Sequence, residues 1–84
     1  KIAIKMNSKE INKILGSNIK EIRKKHKKTR REIAKNLNVS TKSVEQWERG
    51  EVMIKFSWIV LIANILEICV TDLIPNQLKL KHEL

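Results

Sequence analysis

The chain has few of the residues on which β-rich and disulfide-bonded domains depend. Its 84 residues include one Cys, one Pro, two Gly and three aromatic side chains. So few turn-forming and aromatic residues argue against a β-sandwich or a β-barrel. The single Cys69 excludes an internal disulfide framework and a multi-cysteine zinc site, and it suggests a reducing compartment. No apolar run reaches the roughly 18–20 residues that are needed to span a bilayer. We therefore predict one all-α domain in the cytoplasm.

Catalytic and metal-binding patterns are also absent from the sequence. His26 and His82 have no ligand-type residue three or four positions away, and no nucleophile–base set or carboxylate pair is visible. Catalysis and metal binding need such groups in combination. We expect no enzymatic activity, no metal and no cofactor.

Positive charge is concentrated in one short segment. The chain has 18 basic and nine acidic residues, for a net charge of +9. Residues 20–35 carry nine basic and two acidic side chains, whereas residues 36–75 carry three basic and five acidic ones. Such one-sided charge is typical of proteins that bind nucleic acid or an anionic membrane. Large apolar residues do not lie opposite the basic run on the same helix, so nucleic acid is favoured over a membrane surface.

Apolar residues with 3- and 4-residue spacing predict a first helix from about Ile11 to Ile22. Its start is open between two signals. Ser8 as N-cap gives either one long helix or two short ones, whereas the capping-box pattern of Asn18 and Glu21 gives a start near residues 16–18.

Two short helices follow on either side of a tight turn. Thr29 and Glu32 form a capping-box pattern that predicts a helix near residues 30–37. Asn38 tolerates a left-handed backbone, Ser40 is suited to cap the next helix, and Gly50 is suited to end it. This is helix-turn-helix spacing. A strongly apolar helix at about residues 56–66 and a short last helix before Pro75 complete the set.

The segment IKEIRKKHKKTRREIAKNLNVSTKSVEQWERG resembles the helix-turn-helix of the phage Cro/repressor and XRE regulators, and LIANILEICVTDLI is similar to the helices that follow it in that family. The resemblance implies a compact five-helix, lambda-repressor-like DNA-binding domain over residues 16–75, with helices 2 and 3 as the helix-turn-helix. Residues 1–15 would be an N-terminal extension that could be helical, and residues 76–84 a C-terminal tail. It also implies an ion pair between Arg23 and Glu48. Arg30 stands where the family usually has Gln, and the usual loop Pro is missing near Ile54.

By the same resemblance, the third helix enters the major groove of DNA. Its base-reading residues would be Thr41, Lys42 and Gln46, whose groups suit thymine, guanine and adenine edges. The phosphate contacts would be Thr29, Arg30, Arg31, Ser40, Ser43, Arg49 and Lys55. The alternative for these side chains is an ordinary exposed polar surface.

The sequence thus predicts a sequence-specific transcriptional regulator of bacterial or phage type, and we expect a repressor acting on a palindromic or pseudopalindromic operator. The apolar residues Trp58, Val60, Leu61 and Ile65 cover more than one face of the fourth helix. Either the N-terminal segment and the tail cover the remainder or a second subunit does, and we expect a homodimer. The alternative function is an antitoxin or antagonist-type protein-interaction module on the same fold. The chain could also be a fragment of a longer regulator.

Overall fold

The structure, a computed structural model, describes residues 6–78 of the chain, and within them it contains helices and no strand. The predicted all-α, five-helix architecture is confirmed. Predictions for residues 1–5 of the N-terminal extension and residues 79–84 of the C-terminal tail lie outside the described residues. The elements are α1 (Ser8–Lys25), α2 (Arg30–Leu37), α3 (Thr41–Arg49), α4 (Phe56–Leu66), α5 (Val70–Leu73) and a 3-10 turn (Asn76–Leu78).

Helix α1 is one continuous helix of 18 residues. Its N-cap is Asn7, whose side-chain oxygen accepts a hydrogen bond of 2.8 Å from the backbone amide of Glu10. Of the two alternative starts, the one near residues 16–18 is wrong. The Ser8 signal allowed the one long helix that is observed, although Ser8 is its first residue rather than its cap. Asn18 lies in the middle of α1 and caps no helix; its side-chain amide donates to the carbonyl of Leu73 at 2.7 Å. The predicted boundary between extension and domain therefore falls inside α1.

The hydrophobic core draws residues from all five helices. Ile19, Ile33, Val44, Ile62 and Leu73 are fully buried. Helix α1 packs against α3 and α5, while α2 packs against α3 and α4. Burying these aliphatic side chains supplies the main driving force for folding, at about 1.5–3 kcal/mol for each.

The crossing of α1 and α3 is unusually close. A Cβ atom placed on Gly16 would lie 2.1 Å from the carbonyl oxygen of Trp47, and one on Gly50 would lie 2.6 Å from the Cα of Lys13. Gly50 also has a φ of 72°, which favours glycine. The inner side of α3 is therefore fixed against α1, and its opposite side faces away from the core.

Residues with a left-handed backbone follow four of the helices, and Gly50 after α3 is one of them. Asn38, the residue after α2, has a φ of 58°, as its residue type predicted. Lys27 and Glu67 adopt the same backbone conformation after α1 and α4, although neither is Gly or Asn. These turns set the directions in which α2 and α5 begin.

Candidate nucleic-acid interface

The start of α2 is fixed by a reciprocal capping box. The amide of Glu32 donates to Thr29 Oγ1 at 3.0 Å, and the amide of Thr29 donates to Glu32 Oε1 at 2.9 Å. The Glu32 carboxyl accepts from the Thr29 amide and also interacts with the Thr29 hydroxyl. These two interactions, with a smaller contribution from Lys28, hold the pKa of Glu32 below its usual value of 4.5. The carboxylate is therefore ionised at neutral pH and keeps the first turn of α2 ordered.

The start of α3 is fixed by Ser40. Its Oγ accepts from the backbone amide of Ser43 at 3.1 Å, and the two hydroxyl oxygens lie 3.0 Å apart. Residues 38–40 are all that separates α2 from α3. Each of the two helices begins with backbone amides that have no partner within the helix, and such groups attract anions.

Helix α3 is sharply divided into an inner and an outer side. Val44, Trp47 and Glu48 are buried, and the indole rings of Trp47 and Trp58 lie 5.7 Å apart at an angle of 32°. On the outer side, Thr41 and Lys42 are exposed and Gln46 is half-buried. The structure therefore brings the three predicted base-reading residues together on one helix, away from the core.

The predicted phosphate-contacting residues differ in how free their side chains are. Thr29 and Ser40 use their side-chain oxygens as helix caps. Arg49 is exposed and its Nη2 lies 3.1 Å from Glu45 Oε1. Lys55 is exposed and precedes α4 without a side-chain capping bond. Of the others, Arg31 is exposed, whereas Arg30 and Ser43 are half-buried.

A buried ion pair joins α1 to α3. Arg23 donates from Nε to Glu48 Oε2 at 2.7 Å and from Nη2 to Glu48 Oε1 at 3.2 Å. Its Nη1 donates to the carbonyl of Lys28 at 2.7 Å. The structure thus places together the two residues for which the family resemblance implied an ion pair. Their contact fixes α3 relative to α1.

The same carboxylate has a second partner that the sequence reasoning missed. Arg30 Nε lies 2.8 Å from Glu48 Oε1. The sequence predicts Arg30 only as a phosphate contact. One sequence feature could have indicated this contact. Arg30 is a long cation at the start of α2, where the family usually has the neutral amide of Gln, so it can pair with a carboxylate.

Two other classes of site receive no support from the described part of the chain. Residues 6–78 contain no group of three or more His, Cys, Asp and Glu side chains that could hold a metal ion. Within the same residues, no helix combines the length and apolar character required to cross a membrane.

The tight α2–turn–α3 unit, with a polar outer side on α3 and a buried ion pair behind it, defines a helix-turn-helix protein. A family model described as "Helix-turn-helix" matches residues 19–72, which is most of the chain. The chain belongs to this family, the DNA-binding regulators of the XRE, Cro and lambda-repressor type. A search of curated proteins finds no match to the chain.

Proposed function

We propose that this DNA-binding regulator is a sequence-specific repressor that inserts α3 into the major groove of its operator. The observation that carries the proposal is the outer side of α3, where Thr41 and Lys42 are exposed and Gln46 is half-buried. Lys donates to guanine O6 and N7, Gln pairs with adenine N6 and N7, and the Thr methyl contacts the methyl group of thymine. Occupying a promoter in this way is sufficient for repression.

The phosphate contacts proposed around α3 come from side chains and from helix N-termini. Arg31 and Lys55 are exposed cations, and the first amides of α2 and α3 carry partial positive charge. The net charge of +7 in residues 20–35 adds a general attraction to the duplex. Binding should therefore weaken steeply as salt is raised, because bound phosphates release counterions.

We propose that the protein, of bacterial or phage origin, acts in the cytoplasm as a homodimer on a palindromic operator. Of the four residues that predicted it, Leu61 is exposed and Trp58, Val60 and Ile65 are half-buried. Phe56 and Met53 are further exposed apolar side chains, at 64% and 65%. Related half-sites lie about one DNA turn, roughly 34 Å, apart. Sedimentation of a concentrated sample free of DNA as a 9.8 kDa monomer would contradict the dimer.

Selection of bound duplexes from a random pool tests sequence-specific binding. The wild-type protein should enrich one motif over competitor DNA. Thr41→Ala, Lys42→Ala and Gln46→Ala should each relax the enriched motif at a different position, at about 1–3 kcal/mol for each lost base contact. Lys35→Ala is the matched control, because Lys35 is an exposed cation on α2 that is not assigned a DNA contact. An unchanged motif in all three α3 variants would overturn the base-reading assignment.

The second candidate function is a protein-interaction module of antitoxin or antagonist type. The exposed apolar side chains of Val52, Met53, Phe56 and Leu61 favour it, because such a set on a small domain often marks a protein contact. Failure of the wild-type protein to select any duplex, together with a stable complex that Phe56→Ser abolishes, would favour this function over repression.

A further inference from the structure

The Glu48 carboxylate lies between two guanidinium groups that come from different helices. Arg23 of α1 and Arg30 of α2 both donate to it, at 2.7 and 2.8 Å. The Glu48 side chain is 1% exposed and that of Arg23 is 8% exposed, whereas that of Arg30 is 31% exposed. One negative charge is therefore shared by two positive charges, and the outer of the two reaches solvent.

The two arginines differ in how many of their donors are used. Arg23 engages Nε, Nη1 and Nη2 with Glu48 and the carbonyl of Lys28. Arg30 engages Nε with Glu48, and its two Nη atoms have no hydrogen-bond partner within residues 6–78. A guanidinium carries five N–H donors in a rigid plane, so four of those on Arg30 remain for an anion.

The position of Arg30 determines which anion it can meet. It is the first residue of α2 and follows the N-cap Thr29, so its free donors lie at a helix N-terminus. Arg31, the next residue, is exposed and adds to the local positive charge. A phosphodiester oxygen suits both the planar donors and the helix N-terminus.

We propose that Arg30 is a positioning residue that bridges Glu48 to a DNA phosphate, so that one side chain couples the backbone contact of α2 to the placement of α3. The proposal rests on the proposed DNA-binding function. Nε holds the buried carboxylate, and the Nη groups hold the phosphate. Because Glu48 is itself part of α3, a phosphate seated on Arg30 fixes the distance between the DNA backbone and the recognition helix.

The bridge predicts that DNA affinity depends on which cation occupies position 30. A Lys ammonium is a point charge, so it can sit on Glu48 or on a phosphate but cannot span the two with fixed geometry. Arg30→Lys should therefore lower affinity about tenfold or more on every duplex, which is the loss expected for one charge-assisted hydrogen bond. The preferred motif should not change, because no base contact is altered.

Lys35→Arg is the control for the same experiment. Lys35 lies on α2 with Arg30, is exposed, and is not assigned a DNA contact. Replacing one exposed cation with another should leave affinity within about twofold of the wild type. Equal effects of the two substitutions, or wild-type affinity for Arg30→Lys, would show that Arg30 acts only as a point charge and would overturn the bridge.

A second measurement alters the DNA and compares each protein with its own affinity for the unmodified duplex, so that a general effect of the substitution on folding cancels. A neutral methylphosphonate is placed at each phosphate of the selected duplex in turn. At the bridged phosphate, the wild type should lose about tenfold in affinity and Arg30→Lys should lose much less. The same loss in both proteins at every position would contradict the bridge.

The outcomes separate this proposal from the function on which it rests. If the wild type selects no duplex, the proposed function fails and the bridge fails with it. If the wild type selects a duplex but Arg30→Gln changes only the melting temperature, and neither the affinity nor its salt dependence, then sequence-specific binding stands and Arg30 serves only to neutralise Glu48.

Discussion

Gly16 lies so close to Trp47 that a methyl group on Gly16 would overlap the Trp47 carbonyl oxygen, at 2.1 Å. The next carbonyl, that of Glu48, would be 2.8 Å away. Both neighbours are backbone atoms of α3, so neither can rotate aside. The close contact therefore fixes how closely α3 packs on α1.

We expect Gly16→Ala to destabilise the domain, although Ala favours an exposed helix over Gly by about 1 kcal/mol. Overpacking against a fixed backbone costs about 1–3 kcal/mol, and this outweighs the helix propensity. Urea unfolding measures the change. Ser17→Ala is the control, because Ser17 is exposed on the same helix and should show little loss. Equal or greater stability in Gly16→Ala would mean that α1 and α3 are not in this close contact.

The carboxylate of Glu48 should contribute far more to the free energy of unfolding than that of Glu45, three residues earlier. Glu48→Gln leaves the buried Arg23 without its anion, which costs about 3–5 kcal/mol. Glu45 pairs with Arg49, whose side chain is 60% exposed, so Glu45→Gln should cost less than about 0.5 kcal/mol. Thermal unfolding of both variants at neutral pH makes the comparison. Similar melting temperatures for the two would contradict the buried ion pair.

Glu67→Gly should stabilise the domain. Glu67 follows α4 with a φ of 57°, a conformation that costs a residue with a side chain about 1–2 kcal/mol. Its carboxylate also lies at the negative end of the helix dipole. Part of the gain is offset by the greater freedom of Gly in the unfolded chain, which leaves about 1 kcal/mol or several degrees in melting temperature.

Glu67→Ala separates these two contributions. It removes the charge but retains the side-chain strain, so its gain should be no more than about 0.5 kcal/mol. Calorimetry of Glu67→Gly, Glu67→Ala and the wild type measures the gain in unfolding free energy for each variant. A larger gain from Ala than from Gly would mean that charge, and not backbone strain, limits the end of α4.

The Glu32 capping box should make stability depend on acid pH. The Thr29 hydrogen bonds lower the pKa of Glu32 in the folded protein, so the unfolded chain binds a proton more readily. The contribution of this group is therefore complete above its ordinary value of 4.5 and is lost as pH falls through the lower folded pKa. The difference in unfolding free energy between the wild type and Glu32→Gln, measured from pH 7 to pH 3, should shrink with acid. A constant difference would contradict the ionised cap.

The features predicted correctly from sequence are those whose causes are local. The capping box of Thr29 and Glu32 and the left-handed turn at Asn38 each depend on residues no more than four positions away. The start of α1 could not be settled in this way, because two capping patterns compete. Asn18, part of the pattern that is not used, donates to the carbonyl of Leu73, 55 positions along the chain, and local sequence does not reveal such a contact.

The contact between Arg30 and Glu48 was missed for a related reason. The residues are 18 positions apart on two helices, and the contact depends on how α2 crosses α3. Charge patterning located the basic segment but could not show which cation has a buried partner. The outward side of α3 could be predicted, because Val44 and Trp47 mark the inner side by their spacing.

The chain contains two tryptophans, and both lie at the contact between α3 and α4. Intrinsic fluorescence excited at the indole band therefore arises wholly from the Trp47–Trp58 pair. A titration with an operator fragment can be followed by tryptophan emission and by iodide quenching. Both signals would report, without an extrinsic label, whether the two indole rings become more or less exposed to solvent when the protein binds DNA.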